Sequence, residues 1–246
     1  MNDWLKQCNE WKEKWPVMQN HYRPGWYSKA FNLYAVLDAI NSVCKPDDVL
    51  MGDAGSISYA GPVALNSLEG QRLIFNPAQA DMGWALPASI GVAAAGAPNV
   101  IAIMGDGSFM SNMQELAVIR NYQYNIKIVI LNNGGYLSIK NTQQRFYEGR
   151  VFGTSVNKGL WFPKFEHIAA AFEIPYAYMG KLDDLLMLKT LLGKDSPYII
   201  EFACEEDQAI LPSQSFKNGK QAPLHDMAPF LDPEVLYQEM YYKDLI

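Results

Sequence analysis

Val100-Ile101-Ala102-Ile103-Met104 is apolar throughout and runs straight into Gly105-Asp106-Gly107. A strand with one face in water alternates apolar and polar residues, so an unbroken apolar run reads as a strand buried on both faces. Ile126 to Leu131 repeats the arrangement and ends in Asn132-Asn133-Gly134-Gly135, and Val49-Leu50-Met51 ends in Gly52-Asp53-Ala54-Gly55. Further short strands are expected at Leu73 to Phe75, Tyr176 to Met179 and Tyr198 to Phe202. Apolar residues at helical spacing fill Ser28 to Cys44, Trp84 to Ala97, Met113 to Tyr122, Phe165 to Phe172 and Leu182 to Leu192. Buried strands alternating with helices predict an α/β fold: a doubly wound, mainly parallel sheet with helices on both faces. Ligands in such sheets bind beyond the carboxyl ends of the strands. That is where this chain gathers its Gly, Asp and Asn.

At 246 residues one large domain is the default. Hydrophobic residues at 49% and charged ones at 19% exclude disorder. With 20 Lys+Arg against 26 Asp+Glu the net charge is −6, which works against nucleic-acid binding through bulk electrostatics. Cys8, Cys44 and Cys204 lie far apart with no CxxC pair, so no disulfide framework or cysteine metal site is indicated and a cytoplasmic location is expected. The longest apolar stretch, Trp84 to Ala97, is broken by Pro87, Gly91 and Gly96, short of the roughly 20 residues a membrane span needs. No membrane partner is therefore expected. Residues 1–27 read as an amphipathic helix, with Trp4, Cys8, Trp11 and Trp15 on one face, followed by a Pro-Gly connector. Residues 28–211 read as the main domain, and 212–246 as an irregular tail with a short helix from Glu234 to Tyr242.

Glycines on both sides of Asp106 let the backbone approach a ligand closely. A helix starting there would aim its N–H groups at an anion. The Asp106 carboxylate cannot hold a phosphate by itself; a hard divalent cation between the two is the usual solution. Asn133 and the Gly135 carbonyl offer further oxygen ligands. Taken singly, Gly-Asp-Gly and Asn-Gly are ordinary turn signals. Together they say more, because a βαβ unit brings Asp106 and Asn133 to neighbouring strand ends. Neither GxGxxG nor GxxxxGK[ST] occurs, which removes the two commonest phosphate-binding fingerprints.

Gly105-Asp106-Gly107, a gap of 24 residues and then Asn132-Asn133 resembles the thiamine diphosphate motif of the acetolactate synthase and pyruvate decarboxylase superfamily. The resemblance runs from about Trp4 to the low 200s. It includes Met82-Gly83-Trp84-Ala85-Leu86-Pro87-Ala88, Gly-Asp-Gly-Ser-Phe-Met at 105–110, Gln114-Glu115-Leu116 and Asn-Asn-x-Gly-Tyr at 132–136. It implies thiamine diphosphate and Mg2+ as cofactors, with Asp106 and Asn133 on the metal by side chain and Gly135 by its carbonyl. It implies that Gly105, Gly107 and Ser108, with Gly135 and Tyr136, cradle the diphosphate through backbone N–H groups and the Ser108 hydroxyl. Gly52, Asp53, Ala54, Gly55 and Ser56 match a second diphosphate loop. Met82 falls where the family has an apolar wedge between the cofactor's rings, and the Ala80 carbonyl and Met82 N–H would meet the aminopyrimidine.

The family's activating glutamate lies in an N-terminal pyrimidine-binding domain that nothing in this chain resembles, and Glu115 does not take its place. No catalytic side chain is expected from this chain. The resemblance is to the last third of full-length relatives. The expectation is therefore an excised or split domain, completed by a longer natural chain or a separate subunit within a homodimer or tetramer. Ile139 stands where simple pyruvate decarboxylases carry a glutamate, and Thr142 where the branched-chain synthases carry a tryptophan. Residues 133–143 look more like acetolactate-synthase-like proteins associated with surface-sugar biosynthesis, which implies carboligation from a 2-oxo acid such as pyruvate. Two alternatives stay open: a subunit of a two-chain 2-oxo acid decarboxylase, and a non-catalytic phosphate-binding module. The Phe-rich stretch Arg145 to Phe172, with Trp161, suits an acceptor pocket and core packing equally well. His21, His167 and His225 are scattered and carry no catalytic signature.

Overall fold

The computed structural model describes residues 2–17 and 29–241. Most of the connector expected before residue 28, with His21, lies outside the described residues, as does Tyr242. Contacts divide the chain into two units, Met1–Gln208 and Ala209–Ile246.

The first unit opens with α1 (Asn2–Lys14) and α2 (Leu33–Val43) and then alternates strands and helices. Its first half holds β1 (Asp48–Gly52), α3 (Ser56–Ala64), β2 (Arg72–Phe75), α4 (Ala85–Ala94), β3 (Asn99–Gly105), α5 (Asp106–Asn112) and α6 (Leu116–Tyr122). Its second half holds β4 (Ile126–Asn132), α7 (Leu137–Phe146), α8 (Phe165–Ala171), β5 (Tyr176–Met179), α9 (Leu188–Leu192) and β6 (Tyr198–Ala203). These strands form one sheet in the order β2-β1-β3-β4-β6-β5, every pair parallel. The expected doubly wound α/β architecture is present.

Burial on both faces explains it. Val100, Ala102 and Met104 of β3 pack on one side with Leu86 of α4, Phe109 of α5, Ile119 of α6 and Phe165 of α8. Ile101 and Ile103 point the other way and are equally buried. On that side α3 touches β3, and α2 touches both α3 and α9. Each such Val, Ile, Leu, Met or Phe side chain contributes roughly 1.5–3 kcal/mol when fully buried. Because β2 and β3 flank β1, the chain reverses across the sheet between β1 and β3, and α3 and α5 leave on opposite faces. The strand ends open a crevice at such a switch point.

Several elements differ from the sequence reading. The helix expected at Met113 to Tyr122 is preceded by α5, which starts at Asp106 with no intervening loop, and a 3-10 turn at Met113–Glu115 joins α5 to α6. Asp106 starts α5 because its carboxylate accepts from the Gly107 N–H at 2.6 Å, while Phe109 is fully buried. The helix expected from Ser28 begins only at Leu33: the Asn32 side chain accepts from the Tyr34 N–H and caps it. Phe31 instead extends the sheet, donating to the Ala203 carbonyl at 2.7 Å and accepting from the Glu205 N–H at 3.0 Å. α3 and α7 were not expected. α3 contains Gly61 and Pro62, poor helix formers, and its Gly61 lies against the ring of Phe75.

In the second unit β7 (Phe216–Lys217) and β8 (Lys220–Gln221) form a hairpin, and α10 (Pro233–Glu239) is capped by Asp232. Lys217 pairs with the buried Asp226 at 2.7 Å. Among the described residues no helix is long and apolar enough to cross a membrane.

Lys127 of β4 is wholly buried, and its Nζ donates to Asn99 Oδ1, Asn125 Oδ1 and the Ser196 carbonyl. Burial pulls it down from 10.5 to about 8, against the opposing pull of Asp195 and Asp48. The folded chain thus releases this proton near pH 8, whereas the unfolded chain keeps it to about 10.5. Stability from this site is expected to rise across that window. Urea unfolding of wild type and Lys127→Met, repeated between those two pH values, should show the difference moving in the wild type's favour. Parallel curves would refute it.

Candidate functional site

Loops from five strand ends and the start of α2 surround one cavity of about 260 Å³. Asp106 forms its base and is almost wholly buried. One carboxylate oxygen accepts from Gly107 N–H at 2.6 Å, the other from Gly135 N–H at 3.0 Å. Asp106 thereby ties α5 to the loop after β4. Burial pushes its carboxyl up from 3.8 to about 7, although the N–H groups of Gly107, Gly135, Gly134 and Asn133 pull it down. A cation beside this group would offset the burial cost.

Asn133 and Gly135 line the cavity together with Asp106. A Cβ on Gly135 would stand 2.2 Å from the Thr154 carbonyl, and one on Gly107 would stand 2.1 Å from the Tyr136 ring. Both glycines are required by close packing. Gly105, Ser108 and Tyr136 also line the wall. The N–H groups of Gly107, Gly135 and Tyr136 are engaged within the protein, the last with the Thr154 carbonyl at 2.9 Å. Ala54, Gly55 and Ser56 contribute from the β1 end, and Ala80 and Met82 from the segment before α4. Ala80 has a φ of 53°, a conformation costly for a residue with a Cβ.

Gly52 and Asp53 do not line the cavity. A Cβ on Gly52 would lie 2.0 Å from the Phe75 ring, so glycine is needed there for packing. The Asp53 carboxylate accepts from the N–H groups of Ala54 at 2.7 Å, Gly83 at 2.9 Å and Ala85 at 2.7 Å. It holds the Met82 segment and the start of α4 against β1.

The sequence reading missed one wall, formed by Leu33, Cys204, Glu205 and Gln208. Gln208 accepts from the Leu33 N–H at 2.7 Å across 175 positions, which no local pattern reveals. Burial pushes Glu205 above the usual carboxylate range. It also pushes the Cys204 thiol up, helped by Asp106, Glu205 and Glu201. Ile139 lines the cavity, whereas the exposed Thr142 hydroxyl donates to the Ser138 carbonyl within α7. Glu115, His167 and His225 do not line it.

The chain belongs to the thiamine pyrophosphate enzymes: the family model "Thiamine pyrophosphate enzyme, C-terminal TPP binding domain" matches residues 53–202. The cofactors of this domain are thiamine diphosphate with Mg2+. The chain is 28% identical to the acetolactate synthase isozyme 2 large subunit of Escherichia coli K12, over 85% of this chain and 37% of that protein. It is 30% identical to the acetolactate synthase large subunit of Lactococcus lactis subsp. lactis IL1403, over 86% and 36%. A solved Rhodococcus jostii RHA1 thiamine diphosphate-dependent 4-hydroxybenzoylformate decarboxylase shares the fold, with a TM-score of 0.65 at 24% identity over 74% of this chain and 34% of that one. The chain spans about a third of the length of the curated relatives it matches.

Replacing Asp53 with Ala strands three N–H groups, each costing about 1–3 kcal/mol if it stays buried and unsatisfied. Asp53→Ala should therefore unfold at markedly lower urea concentration than wild type. Unchanged stability combined with lost cofactor binding would instead make Asp53 a direct ligand.

Proposed function

We propose that this chain anchors the diphosphate and Mg2+ of thiamine diphosphate in an acetolactate synthase-like enzyme. The complete enzyme takes a 2-oxo acid such as pyruvate and performs carboligation onto a carbonyl acceptor. The observation that carries this reading is the meeting of Asp106, Asn133 and Gly135 at one cavity on the switch point of the sheet.

The residues present fit the group. A buried carboxylate, an amide oxygen and a carbonyl form a hard oxygen donor set of the kind Mg2+ selects. Asp106 and Asn133 would hold the ion by side chain and Gly135 by its carbonyl. Gly105, Gly107, Ser108, Gly135 and Tyr136 would take the diphosphate, with Ala54, Gly55 and Ser56 on the facing wall. Ala80 and Met82 would meet the pyrimidine. Gly52 and Asp53, behind the wall, hold these groups in place. When bound, thiamine diphosphate supplies an electron sink for breaking a bond beside a carbonyl. The chain's own part is orientation: Asp53 fixes the Met82 segment, and Asp106 fixes the loop after β4.

Ile139 brings no proton donor to the cavity, which supports carboligation over aldehyde release. The length of the relatives supports an outside pyrimidine-binding domain carrying the activating glutamate, from a longer chain or a separate subunit, within a dimer or tetramer. The free thiols Cys8, Cys44 and Cys204 accord with a cytoplasmic location.

Calorimetric titration of thiamine diphosphate in Mg2+ tests the anchoring. Asp106→Asn, which keeps the side chain's shape, should weaken binding by about 10- to 100-fold, the value of a charged contact. Equal affinity would overturn the assignment. With pyruvate, the enzyme completed by its pyrimidine-binding domain should form acetolactate in excess of acetaldehyde. Appreciable turnover by the 246-residue chain alone would remove the need for an outside glutamate.

A further inference from the structure

A second cavity, of about 490 Å³, opens on the α8 side of the sheet, between β4, β6, β5 and the segment 156–166. Its floor is polar. Glu201 is buried, with one carboxylate oxygen accepting from Asn132 Nδ2 at 2.7 Å and the other from the Tyr176 hydroxyl at 2.6 Å. Its walls are aromatic, from Phe162, Phe165, Tyr176 and Tyr178. Exposed Lys164 and Glu166 sit on the rim. Asn132 belongs to the Asn-Asn motif, but none of these residues is assigned a contact with the cofactor.

A carboxylate offers about four acceptor positions, and two donors leave capacity on Glu201. Aromatic faces beside a carboxylate favour a positively charged head, through ring quadrupoles and direct ion pairing. Two carboxylates against one ammonium leave the lining net negative, and an anion entering it would meet the buried Glu201. Burial and the neighbouring Glu201 push the Tyr176 hydroxyl up, so it stays a donor and holds the floor in place. The volume falls within the range of small-molecule sites.

The cavity also shares parts with the loop after β4. Asn132, which donates to Glu201, accepts from the Gly134 N–H at 3.1 Å through its other side-chain atom. Val156 on the cavity wall donates its N–H to the Gly134 carbonyl at 3.0 Å. Phe162 packs edge-on against Tyr136, with ring centroids 6.2 Å apart.

We propose that this second cavity binds a small organic ammonium ion, its head over Glu201 and among the aromatic rings, and that Asn132 transmits its occupancy to Gly134. Butylammonium is the probe, with butanoate and butan-1-ol as controls of matched length. Calorimetry on the 246-residue chain without thiamine diphosphate should give saturable binding of butylammonium and none of butanoate. Glu201→Gln should weaken it about tenfold, the scale of a lost charged contact. Should that variant fail to fold, the exposed Glu166→Gln serves instead and should weaken binding a few-fold. In 15N-resolved spectra the Gly134 amide should shift along the same saturation curve. No saturable binding up to about 10 mM, a few kcal/mol in free energy, would overturn the site. So would butanoate binding as tightly, or affinity unmoved in every folded variant. An unmoved Gly134 resonance at saturation would overturn the link to the loop.

Discussion

A central strand that is apolar on both faces leaves no place beside it for water, ions or phosphate. A group on such a strand that is to meet a ligand must sit at the strand end. β3 obeys this strictly: five fully buried residues, Val100 to Met104, are followed at once by Gly105 and the carboxylate of Asp106. Because α3 and α5 depart on opposite faces, the ends of β1 and β3 are not covered by either helix. The cavity lies in that gap, so its position follows from the strand order rather than from any one motif.

The same dipeptide, Gly-Asp, ends both strands, and its two copies have different tasks. At β1 the aspartate faces inward along the chain and accepts three N–H groups, two of them from the start of the α4 region. At β3 the aspartate accepts from Gly107 and Gly135 while lining the cavity, and burial raises its proton affinity. One copy is a clamp behind the wall, the other a buried carboxylate on the cavity itself. Neighbouring structure decides between them, and the letters themselves do not.

This marks how far the sequence could be read. The strands and their ends were legible because burial on both faces writes itself as an unbroken apolar run. The pairing of Asp106 with Asn133 followed from one βαβ unit. α3 and α7 were illegible, since neither carries a strong helix signal: α3 holds Gly61 and Pro62, and α7 is mostly polar. The wall built by Glu205 and Gln208 was illegible for another reason. It depends on a hydrogen bond between Gln208 and Leu33, at opposite ends of the first unit.

Asn132-Asn133 shows how one motif can serve two places. Successive residues at a strand end point to opposite sides. Asn133 accordingly lines the cavity shared with Asp106, while Asn132 lines the one floored by Glu201. Asn132 spends its amide donor on Glu201 and its carbonyl on Gly134, so neither bond can shift without straining the other. Read for the cofactor alone, the first asparagine is a spacer. The pleat makes it a wall of the second cavity and, through the Gly134 N–H, a brace for the loop after β4 that bounds the first.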